Sequence, residues 1–189
     1  MTVTTQRLDE AWRRPLVSHF LSLPPRDRSL RFGIAIAPSL IASYVERINF
    51  ARDAVFGVHD DNLTLVGVAH VAFEGPRAEL GLSVLPEHRR RGVARALFER
   101  ALAHARNRRV PRFCLDFLSA NAPILRMAQK FGMKIVSRGI EAYAQLELPE
   151  PTAASVAEEW VADTVGRCDH GWKALIAKWT RRRTTRSSP

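Results

Sequence analysis

The sequence predicts an α/β layered domain with a mixed, mostly antiparallel sheet flanked by helices, and three observations predict it. Between residues 54 and 85, short β-branched runs alternate with the turn clusters Asp60-Asp61-Asn62 and Gly75-Pro76, the texture of hairpin-linked antiparallel strands. After residue 92, amphipathic helical stretches alternate with strand-like runs, as they do in layered α/β folds. Between these halves a glycine, Gly92, stands at a strand-to-helix junction in an arginine-rich segment.

Element by element, residues 1–8 read as a frayed start. A helix follows with Leu16, Val17, Phe20 and Leu21 on one face, and Pro24-Pro25 breaks it. Arg26 to Phe32 adds a helical turn or two. Ser39 is the expected N-cap of a helix through Ile48, with Leu40, Ile41, Tyr44, Val45 and Ile48 at 3–4 spacing. Strands are expected at Ala54–Val58, Leu63–Phe73 and Arg77–Leu85. The second is apolar on both faces, so it belongs at the centre under helices on each side. A helix from Val93 to Arg106 carries the stripe Ala94, Leu97, Phe98, Ala101 and Ala105. Arg112–Leu118 is the next strand, and Asn121 caps a helix that runs to Phe131 and stops at Gly132. Met133–Ser137 and Glu141–Leu148 close the sheet. Pro149-Glu150-Pro151 marks a boundary between a domain over residues 1–148 and a helical extension over 149–189. The extension carries Val156, Trp160 and Thr164, then Trp172, Leu175, Ile176 and Trp179, at helical spacing, and its last six residues are expected to be disordered.

Composition removes several classes. The 189 residues suffice for one domain with a sizeable core. Two cysteines, Cys114 and Cys168, make no disulfide framework, and no Cys/His group has metal-site spacing. No run approaches the ~20 apolar residues of a membrane span, and charges and Pro15 interrupt the first twenty residues, unlike a signal peptide. The expectation is a cytoplasmic protein without a metal or a transmembrane segment. The net charge of +10 is concentrated: Pro86 to Arg112 holds nine arginines against Glu87 and Glu99. Arginine forks pair well with phosphate. Aromatic residues scarcely interleave these arginines, which weighs against a single-strand nucleic-acid module.

The segment Val84-Leu85-Pro86-Glu87-His88-Arg89-Arg90-Arg91-Gly92-Val93-Ala94 leaves a strand, turns and enters a helix. A helix N-terminus offers unpaired N–H groups and the positive end of a dipole, so it holds anions. Gly92 allows close backbone approach and Ala94 keeps the first turn uncrowded; a pyrophosphate is the natural guest. Arg89-x-x-Gly92-x-Ala94 after Val84-x-Pro86 resembles the acetyl-CoA-binding motif of the GNAT superfamily of N-acetyltransferases, in its Arg/Gln-x-x-Gly-x-Gly/Ala form. The Asn121-initiated helix ending Gln129-Lys130-Phe131-Gly132-Met133 is similar to the later motif of that family, and the intervening strand fits its spacing.

The resemblance implies a GNAT-like sheet whose strands Arg77–Leu85 and Arg112–Leu118 splay apart, with the pantetheine arm of acetyl-CoA paired to free backbone near Leu82 to Val84. The pyrophosphate would rest on the N–H groups of Arg91, Gly92, Val93 and Ala94 with Arg89 alongside. Asn121 would contact the pantetheine or the pyrophosphate side, or serve only as an N-cap. Acyl transfer to an amine needs a base. Glu79 is the candidate, sharing a strand face with Gly81 and Ser83, and family members with glutamate there use it directly or through water. The oxyanion of a tetrahedral intermediate calls for N–H donors, which the splayed strand can supply. His70 and Asp116 are weaker alternatives, and Cys114 reads as core.

One departure is clear. Where many members carry a tyrosine that protonates the departing thiolate, this chain has Ala128, and nothing in the sequence places Tyr44 or Tyr143 at the sulfur. A thiol of pKa about 8.5 leaves without much help. By the resemblance, Arg26–Phe32, Ser39–Ile48 and Glu141–Leu148 build the acceptor pocket, and Leu23–Gly33 resembles the start of bacterial domains that acetylate protein lysines. A protein lysine and a small polyamine-like amine are both expected as primary-amine acceptors, and Glu46, Asp53, Glu74 and Glu141 would favour a cation. A catalytically idle acyl-CoA-binding sensor is the alternative function. The apolar stripe of the extension packs on the domain or on a second copy in a homodimer; otherwise it is a basic amphipathic segment for an acidic surface.

Overall fold

The structure, a computed structural model, describes residues 3–184. Seven strands form one sheet in the order β1-β2-β3-β4-β5-β7-β6, with β1 (Gln6–Leu8), β2 (Ala54–His59), β3 (Leu65–Glu74), β4 (Arg77–Val84), β5 (Arg112–Leu118), β6 (Lys134–Arg138) and β7 (Glu141–Glu147). Every neighbouring pair is antiparallel except β4 and β5, which run parallel. This is a mixed, mostly antiparallel α/β fold.

Helices cover both faces of central β3, as its two-sided apolar character demands. On one side α4 (Val93–Asn107) lays Leu97, Phe98, Ala101 and Ala105 against Val66, Val71, Ala78 and Leu80. On the other, α1 (Arg13–Ser22) and α3 (Pro38–Glu46) bury Leu16, Phe20, Ile41 and Val45 over Val55, Leu65 and Val68. Between them α2 (Pro25–Phe32) ends at Gly33, whose φ of 77° suits a residue without Cβ. Past β5, α5 (Ala122–Lys130) returns the chain to β6.

Four sequence expectations are corrected. Residues 6–8 are not frayed: Gln6 and Leu8 pair with Gly57 and Val55, and buried Leu8 lies in the space that the missing side chain of Gly57 leaves; three residues are too short to show a period. α3 starts at Pro38 with Ala37 as N-cap, so Ser39 sits inside the first turn, in keeping with the preference of proline for the first helical position. On α1 the buried face is Leu16, His19 and Phe20, and Leu21 points outward. His19 is accommodated by the Leu65 carbonyl and the Ser83 hydroxyl, each at 2.8 Å, and its burial lowers its pKa to about 4.

The fourth concerns the extension, a single helix α6 (Ala153–Thr184). Its polar side packs on the domain, while Val156, Trp160, Val161, Val165, Trp172 and Leu175 face outward. Glu159 meets Arg100 at 3.3 Å and His104 at 2.5 Å, and Asp163 also pairs with Arg100. Gly166 lies over the Thr5 carbonyl with no room for a Cβ. Buried ion pairs thus outweigh the apolar stripe in orienting this helix. The expected disorder of the tail lies, from residue 185 on, outside the described residues, as do the side chains of Ile176 and Trp179.

Burial works to raise the Glu159 carboxyl, but hydrogen bonds from His104 and Asn107, with the charges of His104 and Arg100, hold it at about 2. A carboxyl held below its unfolded value of about 4.3 stabilises fully above that pH and loses the contribution as pH falls toward the folded value. α6 should therefore loosen between about pH 4.3 and 2, read by the fluorescence of Trp12, whose ring meets His170 of α6 at 5.0 Å. Glu159→Gln should cost about 1–2 kcal/mol and flatten that acid limb; an unchanged limb would count against the clamp.

Candidate active site

The site begins where two strands part. β4 and β5 are paired at Arg77–Arg112, Ala78–Phe113 and Glu79–Cys114, and no further. The Leu85 N–H bonds the Val66 carbonyl on β3 at 2.9 Å. Strand groups alternate in direction, so Leu80, Leu82 and Val84 turn their N–H and C=O groups to the opposite edge, where β5 has left. Arg89 Nε takes the Val84 carbonyl at 3.0 Å. The opened edge of β4 is thus a row of main-chain groups with its end tied off by an arginine.

Below this edge lies a cavity of about 950 Å³. It reaches from Asn121 and Ile124 at the start of α5 to Arg31 and Tyr44 on α2 and α3, with Glu79 and Tyr143 on its walls. α2 bridges the opening: the Leu30 carbonyl accepts from Asn121 Nδ2 at 3.4 Å, and Arg31 lies against Gly81, where any Cβ would strike its guanidinium. Gly81 is therefore small because an arginine occupies its side-chain space.

The residues expected from sequence fall into two groups. Glu79, Leu82 and Asn121 line the large cavity. Arg91 and Gly92 line a shallower cleft with Val3, Arg95 and Glu99, and Val84, Arg89, Val93 and Ala94 line neither. Gly92 has φ of 83° and caps α4 without any side-chain hydrogen bond; a Cβ there would make only an ordinary contact with Val3 at 3.7 Å, so the backbone twist, not crowding, calls for glycine. With no acidic residue in its first turn, α4 presents an uncapped N-terminus suited to a phosphate. Val93 packs in the core beside Gly67, which leaves its N–H as its only contribution. Arg89 pairs with Asp27 at 2.7 Å and fastens the loop to α2. Asn121 is buried and caps α5, accepting from the Ile124 N–H at 3.4 Å.

Burial pushes the Glu79 carboxyl up, helped by Asp116 and opposed by Arg77. Arg77 lies 3.6 Å from Asp116 and over the Tyr143 ring. Burial and a 3.0 Å contact with Cys114 push the Tyr143 phenol up to about 12, so it stays protonated and donates to Gln145. Cys114 is fully buried. Among the described residues, no cluster of His, Cys, Asp and Glu has the make-up of a metal site, and no helix is long and apolar enough to cross a membrane.

Sequence reasoning missed the inner wall. Arg31 donates to the Tyr44 hydroxyl at 2.9 Å, and that hydroxyl meets His70 Nδ1 at 2.7 Å. Tyr44 reads in sequence as one more residue of an apolar stripe, and no spacing links it to residue 70.

Splayed parallel strands over a cavity, beside an uncapped helix, define an acyl-CoA-handling fold. The sequence profile of the acetyltransferase (GNAT) family matches residues 25–133, and the chain belongs to that family. The fold is similar to the GNAT domain of S. lividans PAT, at 21% identity over 76% of this chain and 89% of that one with TM-score 0.67. It is also similar to yncA of Salmonella typhimurium, solved with its cofactor acetyl-CoA (18% identity, 81% and 98% of the chains, TM-score 0.61). A third likeness is to the ribosomal-protein-alanine N-acetyltransferase of Brucella melitensis (17% identity, 77% and 100%, TM-score 0.59). No curated protein sequence matches the chain.

Proposed function

We propose that the protein is an acetyl-CoA-dependent N-acetyltransferase acting on a primary amine, a protein lysine or a small polyamine-like amine, by direct attack. The observation that carries this reading is the end of β4–β5 pairing at Glu79, which leaves a carboxylate beside an open strand edge. Acetyl-CoA supplies the activated acetyl group. Leu82 and Val84 would hold its pantetheine arm through main-chain groups. The N–H groups of Arg91, Gly92, Val93 and Ala94 would hold its pyrophosphate, with Arg89 bracing the loop and Asn121 fixing the start of α5. Glu79 takes a proton from the acceptor amine, and its raised pKa brings it nearer to that task. The Leu82 N–H faces the strand opening and is suited to a developing oxyanion.

The amine requires an ionised Glu79, so the rate falls as pH drops through a pKa above the ordinary glutamate value. CoA release over a panel of amines and lysine peptides tests the reading. Glu79→Gln should lower kcat about 100-fold, lose that acid limb and leave acetyl-CoA affinity within about threefold. Undiminished turnover in Glu79→Gln removes the base assignment, and acetyl-CoA binding without turnover on any amine favours the idle sensor.

We further propose that residues 1–148 act as the catalytic domain, in the cytoplasm, and that 149–189 make it a homodimer. Val161, Val165, Trp172 and Leu175 are exposed on α6 at intervals of four, seven and three residues, which place them on one helical face. Sedimentation at micromolar concentration should show a dimer that Trp172→Glu dissociates; a monomeric wild type refutes the pairing.

A further inference from the structure

We propose that Tyr44, His70 and Asp53 form a second proton-handling unit of the transfer, with the Tyr44 hydroxyl as its end in the cavity. The inference rests on the N-acetyltransferase reading and adds to it a group that Glu79 cannot replace.

The chemistry sets the need. An acceptor that arrives as an ammonium gives up two protons on its way to an amide nitrogen, and one carboxylate holds one. The departing sulfur also needs a proton, and Ala128 has none to give.

The geometry supplies the route. The Tyr44 hydroxyl lies 2.7 Å from His70 Nδ1, and His70 Nε2 lies 3.4 Å from Asp53 Oδ2. Asp53 is 3% exposed and is held by Arg52 Nε at 2.8 Å and the Phe73 N–H at 3.4 Å. With Asp53 ionised, a neutral imidazole keeps its proton on Nε2 toward the carboxylate and leaves Nδ1 to accept from Tyr44. Arg31 Nη2 donates to the same hydroxyl at 2.9 Å. The phenol hydrogen is then directed to His70, one lone pair meets Arg31, and the other remains for the cavity that Tyr44 lines.

The charged groups facing His70 are Arg31 on α2, Asp53 before β2, and Arg52 beside it. Burial foremost, then Arg31, lowers the imidazole to about 4 against the pull of Asp53, so the ring is neutral and able to accept near neutral pH. Gly81 makes the arrangement possible, since any side chain there would displace Arg31.

The steps balance. Glu79 takes the first proton and frees the amine. As the N–C bond forms and the C–S bond breaks, its electron pair leaves on sulfur. The second nitrogen proton passes to the Tyr44 oxygen while the phenol proton passes to His70 Nδ1, and Asp53 offsets part of the cost that burial and Arg31 place on the short-lived imidazolium. The proton then returns through Tyr44 to the thiolate, giving the free thiol and resetting the relay. Glu79 sheds its proton to water.

Tyr44→Phe is the direct test, because it keeps the ring that packs edge-on against Phe20 and Phe32 and deletes only the hydroxyl. With the best alkylamine from the panel, kcat should fall about 100-fold while acetyl-CoA affinity and acceptor KM stay within about threefold. With hydroxylamine, an acceptor already neutral near pH 7.5 and a lesser burden on the relay, the loss should shrink to about tenfold or less. Asp53→Asn, a positioning change acting through His70, should show the same dependence on the acceptor with a smaller loss. A Tyr44→Phe enzyme that keeps its alkylamine rate, or loses equally on both acceptors with weakened acetyl-CoA binding, overturns the relay. An inactive wild type that binds acetyl-CoA overturns the transferase reading itself and the relay with it, whereas a wild type that turns over beside an unaffected Tyr44→Phe overturns the relay alone.

Discussion

The structure depends on one constraint: β4 and β5 are parallel neighbours that share only three residue pairs. Main-chain polar groups must find partners or water, so a strand edge released in mid-sheet is costly unless something polar meets it. In this chain the cost is contained at both ends. Arg77 to Glu79 keep the strands together at one end, and Arg89 occupies the Val84 carbonyl at the other. α2 spans the gap through Arg31 on Gly81 and Leu30 on Asn121. What remains is a slot lined by N–H and C=O groups, where the proposed reading seats the extended, amide-bearing pantetheine arm.

In the proposed reading the slot and the helix terminus divide the work of holding the co-substrate. Pairing along the strand edge would give register and the N-terminus of α4 charge attraction, and Gly92 turns the chain between them with its positive φ. The arginines around that turn are not equivalent. Arg89 is spent on Asp27 and Val84, and Arg100 on α6, while Arg91 is exposed and borders the cleft. The arginine-rich run read from sequence as a single phosphate-seeking patch is thus partly structural.

Much of this was legible in the residues because it is local. The strand Arg112–Leu118 emerges with its expected limits, α4 carries its apolar stripe and α5 its Asn121 cap, and the faces of β4 alternate as read, with Ala78, Leu80 and Val84 in the core and Glu79, Gly81 and Ser83 opposite. Features that join distant segments were not legible. β1 is too short for a period and is fixed by Gly57, fifty residues on. The orientation of α6 is set by Arg100 and His104, whose partners a helical wheel does not reveal. Tyr44 and His70 meet only because α3 lies over β3, so a residue read as one of an apolar stripe becomes a wall of the cavity.

The central claim is that main-chain amides at the parting of β4 and at the start of α4 hold the co-substrate. Backbone amide chemical shifts, measured with and without CoA, test it residue by residue. The account predicts large shifts and slowed hydrogen exchange at Leu82, Gly92, Val93 and Ala94, with the amides of β1 unmoved. Binding that leaves those amides unperturbed, or perturbs only arginine side chains along the outer face of α4, would contradict it.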